Sequence, residues 1–246
     1  MIRSVQQMRG TGIDAADGPI GAVHDVYFDD SNWIVRYYVV DTGNWLPGRK
    51  VLIPPHLIRK TTPDHAGLPV DLTREQIRNS PDVDTDRPIS RQAELVLYRH
   101  YGWTPYWFPL EPAVSVVAEG DASEHEREAT SGHYGGDPNL RSAKDVIGYH
   151  VAATDGEIGH IDDFLLDDES AKIRYAVVDT KNWLPGKHVL IAPEWIREIK
   201  WSECKVFVNA TREAVRNSPE YNPVTPVDKE YESRLFTHYG YPVTWL

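Results

Sequence analysis

Short apolar runs broken by turn residues dominate the chain. Gly18-Pro19-Ile20-Gly21 opens one strand, Ala22 to Phe28 continues it with apolar, β-branched and aromatic side chains, and Asp29-Asp30 ends it. Ile34 to Val40 reads as the next strand, stopping at Asp41, and Ile173 to Val178 repeats that reading further along. Asp17-Gly18 and Asp155-Gly156 carry the dipeptide of a hairpin turn. Asn44-Trp45-Leu46-Pro47-Gly48 reads as a connecting loop, and Val51-Leu52-Ile53 as a short buried strand closed by Pro54-Pro55. Ile58 and Val70 fall in further short strands. Many short strands separated by turns predict a small barrel or sandwich.

A different pattern follows. Thr73-Arg74-Glu75-Gln76 has the spacing of a capping box, with Thr73 as N-cap and Gln76 three residues on, and the short helix stops before Pro81. Ser90 then precedes RQAELVLYRHYG, a second helix with Leu95, Tyr98 and Tyr101 on one face and Gly102 beyond its end. In the later stretch Asp228 takes the N-cap and Gly240 the terminator.

This sequence of elements occurs twice. VVDTGNWLPG at 39–48 returns as VVDTKNWLPG at 177–186, and the same offset carries Gly21 onto Gly159, Val51-Leu52-Ile53 onto Val189-Leu190-Ile191, and His100-Tyr101-Gly102 onto His238-Tyr239-Gly240. No gap is needed between 1–108 and 139–246, and 43 of the 108 aligned pairs are identical, so the chain is a duplication. The expected organisation is one unit over 1–108, an acidic flexible linker over 109–138 rich in Glu, Ala, Ser and Gly, and a second unit over 139–246. The expected fold is mainly β with short helices: two small β-barrels, each with a C-terminal helical appendage, packed about a pseudo-two-fold axis as an intramolecular pseudo-dimer.

The stretches GAVHDVYFDDSNWIVRYYVVDTGNWLPGRKVLIPPHLI and GHIDDFLLDDESAKIRYAVVDTKNWLPGKHVLIAPEWI resemble the PRC-barrel fold. That fold is seen in the cytoplasmic domain of the photosynthetic reaction-centre H subunit and in the C-terminal domain of a ribosome maturation factor. The chain is also similar to stand-alone bacterial PRC-barrel proteins with VVDT-x-NWLPG followed by VLI and a terminal HYG helix. The resemblance implies a barrel that binds another macromolecule without chemistry of its own. Neither the N-terminal membrane helix of the H subunit nor the extra domain of the ribosome factor is expected from these 246 residues, and fold alone does not fix function.

Composition narrows the partner. The 246 residues carry 26 Lys+Arg against 37 Asp+Glu, a formal charge of −11, which disfavours nucleic acid and anionic membrane surfaces. Over half of that acidity sits in 109–138, with 1 basic and 7 acidic residues, so the repeated units are nearly balanced. Cys204 stands alone, which excludes an intrachain disulfide or a cysteine zinc site and is compatible with a reducing cytoplasm. The opening MIRSVQQMRG lacks the apolar core of a signal peptide, and no apolar run approaches the ~20 residues of a membrane span. A cytoplasmic protein without membrane insertion is expected.

Four groups of repeated polar residues are candidates for chemistry. Asp41, Asn44 and Trp45, mirrored by Asp179, Asn182 and Trp183, form either a docking surface with tryptophan anchors or a tight loop held by Asx chemistry. His100 and His238 suit the last turn of a helix, where the dipole favours a cation. Asp25, Asp29 and Asp30, repeated as Asp163, Asp167 and Asp168, read as solvated turn residues rather than a metal site, with Arg36 able to pair with Asp25 across strands. Arg74 and Arg78, four apart on one helical face, are expected at the contact between units with Arg212, Arg216, Trp107 and Trp245. No phosphate loop, dinucleotide fingerprint, nucleophile elbow or His-Glu-x-x-His helix is present.

The reading is a non-catalytic adaptor with no cofactor and no metal, whose partner is another protein. The rivals are a small-molecule or cation sensor at the paired NWLPG loops, a photosystem- or ribosome-associated factor by analogy, and an enzyme using the repeated acids and histidines.

Overall fold

The computed structural model describes residues 2–59, 67–81, 91–105, 139–180 and 187–243. The tether at 109–138, with its reading as a flexible linker, lies outside the described residues. In the first copy the elements are β1 (Ile2–Ser4), α1 (Val5–Met8), β2 (Gly12–Ala15), β3 (Gly18–Asp29), β4 (Ile34–Asp41), β5 (Lys50–Ile53), β6 (Gly67–Pro69), α2 (Arg74–Arg78) and α3 (Arg91–Tyr101). In the second they are β7 (Leu140–Ser142), α4 (Ala143–Val146), β8 (His150–Ala153), β9 (Gly156–Asp167), β10 (Lys172–Asp179), β11 (His188–Ile191), β12 (Ile196–Lys200), β13 (Lys205–Val208), α5 (Arg212–Asn217) and α6 (Lys229–Tyr239). The mainly β character with short helices stands as the sequence predicts.

Packing groups these elements along borders that differ from those of the repeat. One compact unit holds Met1–Gly10, Asp25–Arg36 and Arg141–Leu246; the other holds Thr11–His24 and Tyr37–Leu140. The first unit thus combines the second copy with two pieces of the first. Its long strand β9 pairs antiparallel with β8, β10 and, from the other copy, β1. β11 lies on β10, β13 runs parallel to β8, and β12 closes the order outside β13. In the second unit β2 and β3 form a hairpin, β5 lies on β4, and β6 runs parallel to β2.

Each long strand has to curl sharply to close a small barrel. Register shifts interrupt β9 against β10 at two places and β2 against β3 at one. Glycine supplies the tightest bend. At Gly21 (φ +149°) an added Cβ would lie 1.9 Å from the Asp41 carbonyl oxygen, and at Gly159 (φ +150°) 2.0 Å from that of Asp179. Only a residue without a Cβ lets β3 and β9 pass over the ends of β4 and β10. The inner faces then fill with Phe164, Ile173, Tyr175 and Leu190 in the first unit and Ile20, Tyr37, Leu52 and Ile53 in the second, all within 1% of full burial.

The helices attach through the caps the sequence signals. Thr73 and Gln76 form the reciprocal capping box of α2, Asp228 caps α6, and Gly240 ends it at φ +74°. The hairpin-turn aspartates add a second grip: Asp17 accepts the Arg74 backbone N–H and Asp155 that of Arg212, both at 2.7 Å. These turn residues therefore anchor the N-termini of α2 and α5, whose first N–H groups have no partner within their own helix. One expectation changes. The buried face of α3 is Glu94, Leu97 and Tyr98, with Leu95 only half-buried. A carboxylate holds the place that periodicity assigned to an apolar residue, for a reason given below.

Candidate functional site

The loop after β4 is built by local hydrogen bonds. Asp41 accepts the Gly43 N–H at 2.8 Å, and the buried Thr42 hydroxyl lies 2.7 Å from both the Leu46 and Arg49 carbonyls. Asn44 is exposed and Trp45 half-buried. The Arg74 guanidinium stands over the Trp45 ring at 4.7 Å and that of Arg78 at 5.9 Å, a cation–π arrangement from one helical face. So Arg74 and Arg78, expected at a contact between units, cover a tryptophan of their own unit. The loop is also tied to the end of α2, where Arg49 donates to the Arg78 carbonyl at 2.7 Å and to Ser80. Lys187 repeats this on the Arg216 and Ser218 carbonyls. Asp179 faces His160 across 3.9 Å. Asn182, Trp183, Trp107 and Trp245 lie outside the described residues.

The histidines link the two helices of each copy. His100 reaches the Gln76 carbonyl at 3.1 Å and His238 the Ala214 carbonyl at 2.7 Å, so each ring nitrogen acts as donor. Both lie in the last turn of their own helix, as the sequence predicts, while their ring hydrogen bonds go to the preceding one.

The aspartates depart most from expectation. Asp25 is 4% exposed, Asp29 6% and Asp163 8%, so they are not solvated. Asp29 holds the turn after β3 through Ser31 and pairs with Arg36 at 2.8 Å, which is therefore not the partner of Asp25. Asp25 instead accepts the Ser142 hydroxyl and the Lys144 N–H (3.1 Å), at the start of α4. Asp163 likewise accepts the Ser4 hydroxyl and the Gln6 N–H (3.0 Å), at the start of α1. Arg141 pairs with Asp30 at 2.8 Å and Arg3 with Asp168 at 2.6 Å. Each bond of Asp25 and Asp30 to the second arm has its counterpart at the repeat offset in a bond of Asp163 and Asp168 to the first, and each joins the N-terminal arm of one copy to the β3 or β9 end of the other, inside the first compact unit. Burial pushes the Asp25 and Asp163 carboxyls up, against the pull of their hydroxyl and backbone donors.

A second matched pair was not singled out from the sequence. Tyr37 donates to Glu94 at 2.8 Å and Tyr175 to Glu232 at 2.6 Å. These buried carboxylates fasten α3 and α6 to their barrels, and burial together with the neighbouring carboxylate pushes both phenols up. Identity of Glu94 and Glu232 at the repeat offset, on the face of Leu97 and Leu235, was the available signal.

The first unit also has an open cleft of about 280 Å³ lined by Asp30, Trp33, Ile196, Arg197, Ile199 and Trp201. Arg141 lies over Trp201 at 4.2 Å while bonded to Asp30. Among the described residues no three His, Cys, Asp or Glu groups gather in a way that could hold a metal ion, and no helix is long and apolar enough to cross a membrane.

Two copies of a short-stranded barrel with a helical appendage define a tandem barrel protein whose repeated polar groups bond to one another. The PRC-barrel domain model matches residues 13–72 and 138–215, more than half of the chain, one segment in each copy. The chain belongs to the PRC-barrel family. No curated protein matches it.

Proposed function

We propose that this chain is a non-catalytic adaptor that docks another protein on the face formed by the loop at 41–49 and helix α2. PRC-barrel domains support an interaction-module role in general. The observation that carries the specific reading is the Trp45 ring with the Arg74 and Arg78 guanidiniums against it. An aromatic flanked by arginines has the composition of an interface hot spot, and exposed Asn44 adds an adaptable donor and acceptor beside it. The partner surface that fits is acidic, since it would meet two cations stacked on a ring. The repeated acids and histidines support the non-catalytic part, because their bonds hold turns, arms and helices together.

Two experiments test this. The full chain and its Arg74→Glu/Arg78→Glu variant are used to capture proteins from native lysate, with Val224→Ser, at an 86% exposed position, as control. A specific set of proteins should be retained by wild type and control and lost from the charge-reversed variant at unchanged melting temperature. Identical capture by all three overturns the site. For the non-catalytic reading, generic hydrolase substrates are screened with wild type and with Asp41→Ala/Asp179→Ala. Turnover that disappears in the variant overturns it.

A further inference from the structure

The bonds between the arms and the β3 and β9 ends form a self-complementary set. Arm one (residues 2–10) brings Arg3, Ser4 and the N-terminus of α1; arm two (residues 140–148) brings Arg141, Ser142 and the N-terminus of α4. The receiving ends bring Asp163 and Asp168 in one case, Asp25 and Asp30 in the other. Val5 and Ala143 are fully buried at matching places. Where β4 meets β10 the register is symmetric: Ile34 pairs with Lys172, its own counterpart at the repeat offset. There Val35 donates to the Ala171 carbonyl at 2.7 Å and Ile173 to the Trp33 carbonyl at 2.8 Å. Each receiving end is incomplete without an arm from another copy of the repeat. Asp25 would face a half-empty site with no hydroxyl donor, and β9 would lose the strand that β1 supplies.

Nothing in this chemistry requires the arm and the receiving end to belong to the same molecule. We propose that the arm site is a chain–chain assembly site: copy one of one molecule pairs with copy two of a second, giving an exchanged dimer with the contacts already present in the single chain. The occupant is a second copy of this chain, argued from identity of the bonding groups at the repeat offset. Both copies belong to one chain, so closure within a molecule is independent of concentration: the closed single chain prevails in dilute solution, at micromolar concentration, and exchange grows as the chain concentration rises towards millimolar.

Charge reversal at the arm site tests this in full-length protein. One variant carries Arg3→Asp and Arg141→Asp; the other carries Asp30→Arg and Asp168→Arg. Alone, each sets like charges against each other at both arm sites. Mixed, every arm meets an opposite charge, but only on the other molecule. Light scattering on a size-exclusion column should give the chain mass for each variant alone and twice that mass for the equimolar mixture. A mixture that keeps the chain mass, with each variant folded by circular dichroism, overturns the proposal. A second measurement avoids substitutions altogether. The exposed Cys204 accepts a donor dye in one batch of wild type and an acceptor dye in another. Mixed and read at millimolar concentration, the two batches should show energy transfer that falls when the same mixture is diluted to micromolar. Equal transfer at both concentrations overturns the proposal even where the variants fail to fold.

Discussion

The two copies agree at the arms and disagree over the aromatic lid of each barrel. At the arms, the arginine, serine and two aspartates are the same in both copies and make the same bonds. At the lid, the first copy has Leu57 and Trp103, with Trp103 stacked on Tyr101 at 4.2 Å. The second has Trp195 and Tyr241 at those positions, with Trp195 1% exposed, 4.4 Å from Tyr239 and 5.4 Å from Tyr241. The large ring has moved from one wall of the lid to the other. Apolar packing accepts such trades, since it asks only for shape and volume. A buried hydrogen-bonded pair does not, because losing either partner strands the other. The difference separates what the duplicated fold requires from what each copy is free to vary.

The largest break in that comparison is expected at the glycine bends, which both copies keep. Gly21→Ala places a methyl 1.9 Å from the Asp41 carbonyl oxygen at a backbone angle that L residues avoid. Strain and overpacking together should cost about 3 kcal/mol or more, and Gly159→Ala as much. Urea unfolding of the two variants measures this. A cost under ~1 kcal/mol at either position would mean that β3 or β9 can shift off the strand below without penalty.

Next come the arm aspartates. Asp25→Ala leaves the Ser142 hydroxyl and the Val26 and Lys144 N–H groups without their acceptor, at a cost of about 2–3 kcal/mol. Asp163→Ala should match it to within ~0.5 kcal/mol, since its partners are the counterparts Ser4, Phe164 and Gln6. Asp25→Asn should cost under ~1 kcal/mol, because its carbonyl keeps both N–H groups and its amide turns to the serine oxygen. Unequal alanine costs would break the equivalence of the two arm sites.

Much of the fold was open to sequence reasoning, and the exceptions share a cause. Strands, hairpin turns, the Thr73 capping box and the Asp228 and Gly240 caps all depend on residues within a few positions of each other, where local rules apply. Helices α1 and α4 are four residues long, too short to show a period, and their carboxylate partners lie more than a hundred residues away. Asp25 and Asp29 look alike in sequence as turn-forming acids. Only the arrival of an arm from the other copy tells the buried cap from the turn residue. Glu94 was hidden by its own polarity, since a hydrophobic pattern counts a carboxylate as solvent-facing and cannot see the Tyr37 hydroxyl that satisfies it. The Trp45 loop was legible as a turn, but the stacking of Arg74 and Arg78 on it depends on how α2 docks.

The lid sharpens the comparison through compensation. Trp195→Leu installs the residue of the first copy and should cost about 2–3 kcal/mol, as its neighbours Phe236 and Tyr239 close only partly over the space. Adding Tyr241→Trp supplies the ring that the first copy keeps at Trp103. If the two lids are alternative solutions to one volume, the double variant recovers roughly 1 kcal/mol over the sum of the single changes. Strict additivity would show that the lids have diverged in backbone as well as in side chains.

The smallest effect expected is on pH dependence, and it distinguishes two kinds of aspartate within one strand. Asp25 and Asp163 have their carboxyls raised above the ordinary 3.8 by burial, despite hydroxyl and backbone donors. Asp29 and Asp167 are lowered below it, because the bonds from Ser31 and Arg36, and from Ser170 and the Glu169 N–H, outweigh burial. The raised pair binds protons more tightly in the folded state, so its stabilising contribution is complete below 3.8 and is lost as pH rises through the raised values. The lowered pair contributes fully above 3.8 and loses that contribution as pH falls through the lowered values. Asp25→Asn/Asp163→Asn removes only the first limb. Measured by urea unfolding, the stability of wild type relative to this variant should therefore be greatest in acid and shrink as pH rises from 3.8, while Asp29→Asn/Asp167→Asn changes the curve on the opposite side. A wild-type advantage that grows with pH over the same range would mean that Asp25 and Asp163 are held as carboxylates by their donors, with burial the weaker influence.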